Sequence, residues 1–235
     1  MITKRERNLI QQLRLKKNRL SNAQFVVEGV KSVKEFIDAG YNVSVIYATE
    51  EFHLPQVKLI SSSEMERISH FKNASPVLAV FSIPNRTELP KNGRILVLDT
   101  ITDPGNMGTL IRLADWYGIN HVVCSMNTVD CYNPKVVQST MGSLARVSCH
   151  YKELTVFLEQ NERPSFGAFL EGDSIYNITL PENALLVLGS ESHGISQEVK
   201  KELDNLITIP RTSTNGPESL NVAIAGGIIM GELCR

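Results

Sequence analysis

Polar, turn-forming residues that could hold a ligand gather in three short stretches of the chain, each after a run of apolar residues. The stretches are Asp103-Pro-Gly-Asn106, Gly189-Ser-Glu-Ser-His-Gly194, and the loop that ends at Ser219. In open parallel sheets, ligands bind beyond the carboxyl ends of the strands, so three such loops predict one shared site. The first stretch has no lysine, and neither GxxxxGK[ST] nor GxGxxG occurs, so a P-loop and a nicotinamide site are not supported. The residues alone indicate a nucleotide-sized ligand held mainly by backbone groups.

The apolar runs beside these stretches predict the elements that carry them. Residues 94–99 are apolar almost throughout, which is typical of a parallel strand buried on both faces. Asn106 is predicted to cap a helix over residues 107–117, and residues 121–125 are predicted to form the next strand. Strand and helix therefore alternate, which predicts a parallel α/β sheet. Further strands are expected at 166–170 and 185–189, and further helices at 133–141 and 196–203.

The last helix of the chain is unusual in its composition. Ser219 is predicted to cap it, and residues 220–233 are apolar on nearly every side, with Glu232 as the only charge. A helix that is apolar all round is expected to be buried. Its many glycines and alanines cost helix propensity, so close approach of another backbone is the expected reason for them. Asn221 lies in the first turn, and a polar amide on a buried helix needs hydrogen-bond partners.

Positive charge is concentrated at the start of the chain. Residues 1–20 hold seven basic residues and one acid, and because the whole chain has a net charge of −1, the remaining residues carry −7. A basic arm on an acidic body favours contact with a polyanion. The alternative is an amphipathic helix that docks through Leu9, Ile10 and Leu13, and charge alone leaves both open. The basic residues are Lys4, Arg5, Arg7, Arg14, Lys16, Lys17 and Arg19.

Composition predicts two domains after the basic arm of residues 1–20. Residues 21–83 have the pattern of a small α/β domain without obvious catalytic residues. Residues 84–93 contain two prolines, a glycine and mixed charge, which mark a linker. Residues 94–235 then form the domain that carries all three polar stretches.

The compartment is predicted from cysteine usage and from the absence of membrane signals in the sequence. The four cysteines show no CxxC pairing, so reduced thiols are expected and a zinc site is not. There is no apolar run of transmembrane length and no signal-peptide pattern, which predicts a cytoplasmic protein without membrane contact.

The three stretches together resemble the motifs of a known enzyme family. Asp103-Pro-Gly-Asn-Met-Gly-Thr-Leu-Ile-Arg112, Leu188-Gly-Ser-Glu-Ser-His-Gly194, and Ile209-Pro210 with Ser219-Leu-Asn-Val222 resemble the ordered motifs of SpoU/TrmH RNA ribose 2′-O-methyltransferases, which belong to the SPOUT superfamily. The resemblance covers residues 94–235. Residues 20–83, with Phe25-Val-Val-Glu-Gly29, resemble the ribosomal-protein-like substrate-binding domain that often precedes it.

The resemblance implies a fold for both domains. The C-terminal domain is expected to be an α/β knot, that is, a parallel sheet whose chain end is threaded as a trefoil. The N-terminal domain is expected to be a small α/β unit that binds the RNA substrate. Knots are close to absent among proteins in general, so this expectation depends on the family alone.

The resemblance also implies site residues. The catalytic set is Arg112, Asn106, Glu191, Ser219 and Asn221. Gly189, Ile209 and Leu220 match positions whose backbone holds S-adenosylmethionine, and the full cofactor-binding set is Leu188, Gly189, Ser190, Gly194, Ile209, Pro210, Ser219 and Leu220. The expected RNA-binding set in the basic arm is Arg5, Arg7, Arg14, Lys16, Lys17 and Arg19.

The implied reaction is the metal-free methylation of a ribose 2′-hydroxyl in a structured RNA, with ribosomal RNA preferred over tRNA, by a homodimer. Arginine stays protonated in proteins, so Arg112 is expected to orient the ribose or stabilise developing negative charge rather than act as the base. The base is open, and His193 is an alternative to a purely structural histidine. Ser192, His193 and a long loop at 211–218 depart from the common family pattern, which leaves the RNA target open.

Two other functions remain as alternatives. One is a SPOUT enzyme that methylates a base instead of a ribose. The other is a non-catalytic RNA-binding protein with a vestigial cofactor pocket. Mapping of the methylated atom would distinguish the first alternative from ribose methylation. Calorimetry with S-adenosylmethionine would distinguish the second from an enzyme with a working cofactor pocket.

Overall fold

The structure is a computed structural model that describes residues 2–85, 88–213, 215–216 and 218–234. The chain divides into two compact units. Unit 1 contains Met1–Arg86 together with Asp130–Ala145, and unit 2 contains Thr87–Val129 together with Arg146–Arg235. The predicted linker at 84–93 includes Arg86 and Thr87, which lie outside the described residues.

The elements follow one another along the chain as α1 (Lys4–Gln12), α2 (Lys16–Asn22), β1 (Gln24–Glu28), α3 (Val30–Asp38), β2 (Val43–Ala48), β3 (Val57–Leu59), α4 (Ser62–Ile68), β4 (Val77–Ser82), β5 (Ile95–Asp99), α5 (Pro104–Trp116), β6 (His121–Ser125), α6 (Pro134–Thr140), β7 (Ser148–Lys152), α7 (Leu154–Glu159), β8 (Ser165–Ser174), β9 (Leu185–Gly189), α8 (Gln197–Lys201), β10 (Asn205–Thr208) and α9 (Val222–Leu233). Short 3₁₀ turns lie at Ser143–Ala145 and Ile175–Asn177. The sequence patterns did not predict β3, β7 or α7, and they made β8 too short.

Unit 1 is built on a four-stranded sheet in the order β1-β4-β2-β3, in which only β2 and β3 are parallel. The basic segment at its start is helical and packed, which differs from the expected arm. Thr3 and Glu6 form a capping box at α1, so both side chains satisfy backbone N–H groups at the helix start. Ile10 and Leu13 are buried in the same apolar cluster as Tyr47. The docked amphipathic helix was therefore the correct alternative for the packing of these residues.

The segment Asp130–Ala145 completes unit 1 from a distant part of the sequence. Tyr132 packs against Phe25 with ring centroids 4.5 Å apart, and α6 lies against β1. Arg19 is 2% exposed, and its Nε donates to Asp130 Oδ2 at 2.9 Å. An arginine that is buried and already paired with a carboxylate is not accessible to an RNA phosphate, so Arg19 is removed from the expected RNA-binding set.

Unit 2 is an all-parallel sheet in the order β10-β8-β9-β5-β6-β7. The buried faces of β5, β9 and β6 form its core with α7 and α8. On another side, α9 crosses α5 at its glycines. A Cβ at Gly226 would lie 2.7 Å from Leu110 Cδ2, and one at Gly231 would lie 3.0 Å from the Tyr117 hydroxyl. The close approach that the small residues predicted is therefore made to α5.

Both helices that border the predicted site begin at a different residue from the one expected. Asp103, not Asn106, caps α5, because its Oδ1 accepts the N–H of Asn106 at 2.8 Å while Pro104 occupies the first turn. Asn221, not Ser219, caps α9. The helix α9 is also not buried all round, since Ile224 is 58% exposed and Ile228 is exposed beside it.

Candidate active site

The three predicted loops leave the same edge of the unit 2 sheet. Asp99 at the end of β5 lies opposite Gly189 at the end of β9, so the first two loops begin side by side. The third loop leaves β10 and leads to α9, which packs on both α5 and β9. This edge is where parallel α/β proteins bind ligands.

Asn221 connects the three motifs. Its Nδ2 donates to Asn106 Oδ1 at 3.0 Å and also to Glu191 Oε1. Its Oδ1 accepts the N–H groups of Ala223 at 3.0 Å and Ile224 at 3.2 Å, which caps α9. The amide thus uses both donors and its acceptor at once. Asn106, Glu191 and Asn221 are called the Asn221 cluster below.

The second motif is a tight loop that holds Glu191 in place. Ser190 and Gly194 exchange two backbone hydrogen bonds of 3.0 and 2.8 Å, and Gly194 has φ +67°. A Cβ on Gly189 would lie 2.1 Å from the carbonyl carbon of Gly194, so no side chain fits there. Glycine at 189 and 194 is therefore required by backbone geometry.

His193 is held within its own loop. Its backbone N–H donates to Ser190 Oγ at 3.2 Å, and its ring Nδ1 lies 2.8 Å from Ser192 Oγ. Within the described part of the chain, the ring makes no hydrogen bond to the Asn221 cluster. The geometry favours the structural interpretation of this histidine over the general base.

The residues expected to hold S-adenosylmethionine line the ends of β9 and β10. Leu188 and Gly189 are buried strand residues, and Ser190, which follows them, is half-buried. Ile209 is half-buried after β10, whereas Pro210 is exposed. Ser219 and Leu220 are exposed immediately before the Asn221 cap. The loop at 211–218 between them includes Thr214 and Pro217, which lie outside the described residues.

A neighbouring feature was missed by the sequence patterns. The pairing of β8 with β10 jumps from Gly167–Leu206 to Asp173–Ile207, so residues 168–172 bulge out of the ladder. Leu170 in this bulge is 73% exposed, and its carbonyl accepts the Thr208 hydroxyl at 3.0 Å, beside Ile209. A single leucine in an apolar strand gives no signal in the sequence that it lies beside a site.

Arg112 is not brought to the Asn221 cluster. It lies six residues after Asn106 on α5, which is about 9 Å along the helix and about 120° around it. Its side chain is exposed, and among the described residues its guanidinium makes no hydrogen bond or salt bridge. It shares its helix face with Trp116, one turn further on, which is 82% exposed. Arg112 therefore points away from its own chain's cluster.

The expected RNA-binding residues differ in how they are placed on unit 1. Arg5, Lys16 and Lys17 are exposed on α1 and α2, and Arg7 is half-buried. Arg14 is exposed overall, but its Nη2 donates to the Ser69 carbonyl at 2.6 Å. These five residues remain candidates after the removal of Arg19.

Two other kinds of feature are absent from the described residues. In the described residues, no group of three or more His, Cys, Asp and Glu side chains is arranged to hold a metal ion. The same part of the chain has no helix with the length and apolar character needed to cross a bilayer.

The fold and the site together define a class of α/β protein: a parallel sheet whose three polar loops meet at an asparagine that caps the final helix. The chain belongs to the SpoU rRNA Methylase family, whose model matches residues 93–231. Residues 8–79 match the MRM3-like substrate binding domain. The family resemblance inferred from the motifs is confirmed.

Individual relatives agree with this assignment. The chain is 27% identical over 232 residues to the Bacillus subtilis protein named 23S rRNA (guanosine(2553)-2′-O)-methyltransferase RlmP. The aligned region covers 94% of this chain and 92% of that protein. A solved TrmH-family protein from Porphyromonas gingivalis is 39% identical, with a TM-score of 0.89 over 99% of this chain and 98% of the other. The SpoU methyltransferase AviRb from Streptomyces viridochromogenes, solved with AdoMet, has a TM-score of 0.85 over 99% and 97% of the two chains at 23% identity. The predicted SPOUT-type α/β fold is confirmed.

Proposed function

We propose that this chain transfers the methyl group of S-adenosylmethionine to the 2′-hydroxyl of a ribose in ribosomal RNA. The observation that carries the proposal is Asn221, which joins Asn106 of the first motif to Glu191 of the second at the carboxyl edge of the sheet. The Bacillus relative is named for this reaction on 23S rRNA. A ribosomal RNA substrate also favours a cytoplasmic location.

The residues at this edge fit the cofactor. Gly189 leaves no room for a side chain, so the second-motif loop packs backbone to backbone against the end of β9 and keeps its shape at this edge. Leu220 and half-buried Ile209 supply apolar surface of the kind that lines nucleoside pockets. When bound there, S-adenosylmethionine supplies an electrophilic methyl group.

The chain's own residues would mainly position the acceptor ribose. Methyl transfer is an in-line displacement, so most of the rate gain can come from orientation of the two reactants. Glu191 is the only ionisable member of the Asn221 cluster, and its carboxylate can accept a hydrogen bond from a ribose hydroxyl. Asn106 and Asn221 fix that carboxylate and present amide groups beside it.

The exposed basic residues of unit 1 would contribute RNA affinity with little sequence preference. Arg5, Lys16 and Lys17 lie on α1 and α2, within or directly beside the substrate-binding match. Phosphate contacts of this kind supply affinity and register rather than base recognition. Base selection then depends on other contacts around the Asn221 cluster.

We also propose a homodimer that forms through the exposed faces of α5 and α9. Trp116, Ile224 and Ile228 are large apolar side chains on these two helices. A second copy would cover them in a self-complementary contact. Because Arg112 shares a face with Trp116, this dimer would place Arg112 at the interface rather than in open solvent.

The experiment that tests the function is a map of ribose methylation across ribosomal RNA from cells with and without the gene. We expect one position to lose its 2′-O-methyl group on deletion and to regain it when the gene is restored. Loss of a base methyl group instead would support the alternative SPOUT chemistry. An unchanged map, together with no heat of S-adenosylmethionine binding, would support a non-catalytic RNA-binding protein.

A further inference from the structure

We infer that Asp99 is a positioning residue for methyl transfer, because its buried carboxylate fixes the first-motif loop (residues 100–103) against the second-motif loop (residues 190–196). The inference rests on the proposed function. The sequence patterns suggested only a strand-end turn residue at this position. Asp99 is not among the motif residues on which the family resemblance is based.

The location of Asp99 is unusual for a carboxylate. It ends β5 opposite Gly189 and is 4% exposed. Oδ1 accepts the Thr100 hydroxyl at 2.9 Å, and Oδ2 accepts the backbone N–H of Ser196 at 2.8 Å. A buried carboxylate is costly unless it is hydrogen-bonded, so both bonds are needed for the residue to lie here. Each carboxylate oxygen of Asp99 therefore holds one of the two loops.

On the side of the first motif, the bond to Asp99 helps to hold a strained residue. Thr100 has φ +58°, which is a left-handed conformation that β-branched residues rarely adopt. Its N–H donates to Ser125 Oγ at 2.8 Å, and the next N–H, from Ile101, donates to Thr128 Oγ1 at 3.3 Å. Strain of this kind persists only where neighbours over-determine the backbone. Side chains outside the loop, namely Asp99, Ser125 and Thr128, thus set the direction in which the chain leaves β5 toward Asn106.

On the side of the second motif, the bond anchors the far end of the Glu191 loop. The near end is closed by the two backbone bonds between Ser190 and Gly194. Ser196 lies two residues after Gly194 and is the N-cap of α8, so Asp99 fixes the point where the loop joins that helix. Among the described residues, Asp99 makes no hydrogen bond to a member of the Asn221 cluster. It acts by holding the loops that bring Asn106 and Glu191 to Asn221.

The test compares two substitutions of Asp99 in the full-length chain. Asp99→Ala removes both acceptors, whereas Asp99→Asn keeps an oxygen for the Ser196 N–H and an amide that can donate to the rotated Thr100 hydroxyl. We expect the alanine variant to bind S-adenosylmethionine roughly tenfold more weakly and to lose turnover further, since two bonds to a charged group are lost. We expect the asparagine variant to recover most of both. An asparagine variant as impaired as the alanine variant would overturn positioning, because charge would then be the property that matters.

A matched control separates positioning from stability. Asp204 likewise accepts one backbone N–H and one hydroxyl, but both come from Ser165 to Oδ2 at 2.8 Å, and the residue is exposed at the opposite edge of the sheet. Asp204→Ala should lower the melting temperature but leave cofactor affinity and turnover unchanged. If Asp99→Ala behaves like Asp204→Ala, the inference is wrong. If the wild-type chain neither binds S-adenosylmethionine nor methylates RNA, the proposed function fails instead.

Thr100→Gly provides a second variant that does not depend on removal of a buried carboxylate. Glycine adopts a positive φ without strain, so the melting temperature should stay level or rise. The loop loses its bond to Asp99, so we expect turnover to fall several-fold. A Thr100→Gly variant with wild-type turnover would contradict the role of the Asp99–Thr100 contact in positioning.

Discussion

At the scale of single residues, Asn221 has two functions that the sequence indicated only in part. A polar amide on an apolar helix predicted that partners exist. The sequence did not show that one carbonyl oxygen caps α9 while the amide nitrogen holds Asn106 and Glu191. Those partners lie 115 and 30 residues away, and only the fold brings them together.

Arg112 gives the first prediction at this scale. In the proposed dimer Arg112 would act at the partner subunit's site, so Arg112→Ala should reduce turnover about 100- to 1000-fold, because one charge-assisted hydrogen bond to developing negative charge is lost there. Cofactor affinity should be nearly unchanged, since Arg112 lies away from Gly189 and Leu220. Rate constant and specificity constant should fall together in steady-state kinetics. The control is Arg146→Ala, which removes a surface arginine paired with Asp115 on the same helix. If Arg112→Ala kept the wild-type turnover, Arg112 would be a surface residue with no role in the reaction.

At the scale of elements, the sequence predicted most strands and helices of unit 2 but not the residues where the helices begin. Several cap-forming residues stand close together before α5 and α9, and each is a plausible N-cap by type. Asp103 and Asn221 are the caps because their side chains reach the N–H groups of the first turn. Packing also limited the prediction, since the pattern of α9 could not show which of its faces meets α5.

The glycines of α9 give a prediction about that packing. Gly226→Ala should destabilise unit 2 by about 1–3 kcal/mol, because the new methyl group would lie 2.7 Å from Leu110 Cδ2 and 3.0 Å from Leu188 Cδ1. Gly227→Ala should stabilise it by about 0.5–1 kcal/mol, since Leu113 stays at an ordinary 3.6 Å. Chemical denaturation of the two variants gives the comparison. The packing account would be wrong if Gly226→Ala were at least as stable as Gly227→Ala.

His70 gives a prediction about the pH dependence of unit 1. Burial lowers the pKa of His70 from 6.5 to about 4, and its Nε2 donates to the Ile10 carbonyl at 2.8 Å. Its Nδ1 is buried and has no hydrogen-bond partner among the described residues. The unfolded chain therefore binds the proton more readily than the folded chain. The contribution of neutral His70 to the free energy of unfolding is fully present above pH 6.5 and is lost as the pH falls toward 4.

The test compares wild type with His70→Gln, which keeps an amide donor near Ile10 but has no titrating ring. Between pH 7 and pH 5 the wild type should lose at most about 2 kcal/mol more unfolding free energy than the variant. Burial raises the pKa of Glu28, which contributes with the opposite sign, but Glu28 is present in both proteins and its contribution cancels. Equal pH dependence of the two proteins would show that His70 does not titrate as inferred.

At the scale of the whole molecule, the family and the fold class followed from three short motifs, and the proposed cofactor depends on the same motifs. The assignment of Asp130–Ala145 to unit 1 did not, because sequence continuity places it with the strands on either side. Its contacts, such as Tyr132 on Phe25, join residues more than a hundred positions apart and leave no local pattern. The trefoil threading of the chain end stays a prediction from the family resemblance.

The proposed dimer gives a prediction at this scale. Light scattering at micromolar concentration should give twice the chain mass of 26.1 kDa. Trp116→Glu should give a monomer, because a charge replaces an apolar side chain at the centre of the proposed contact. Leu59→Glu changes a similarly exposed apolar residue on β3 of unit 1 and should leave the mass unchanged. A monomeric wild type would refute the dimer.

The central claim is that the Asn221 cluster positions the ribose for methyl transfer, and one substitution tests it most directly. Serine caps helices as well as asparagine does, so Asn221→Ser should keep the stability of α9. Its hydroxyl is too short to bridge Asn106 and Glu191. The measurement is the single-turnover rate at which labelled methyl groups enter ribosomal RNA in alkali-stable form, since a methylated 2′-hydroxyl blocks cleavage by base. We expect the rate to fall roughly 100-fold with little change in melting temperature. A folded Asn221→Ser variant that methylates ribose at the wild-type rate would contradict the account.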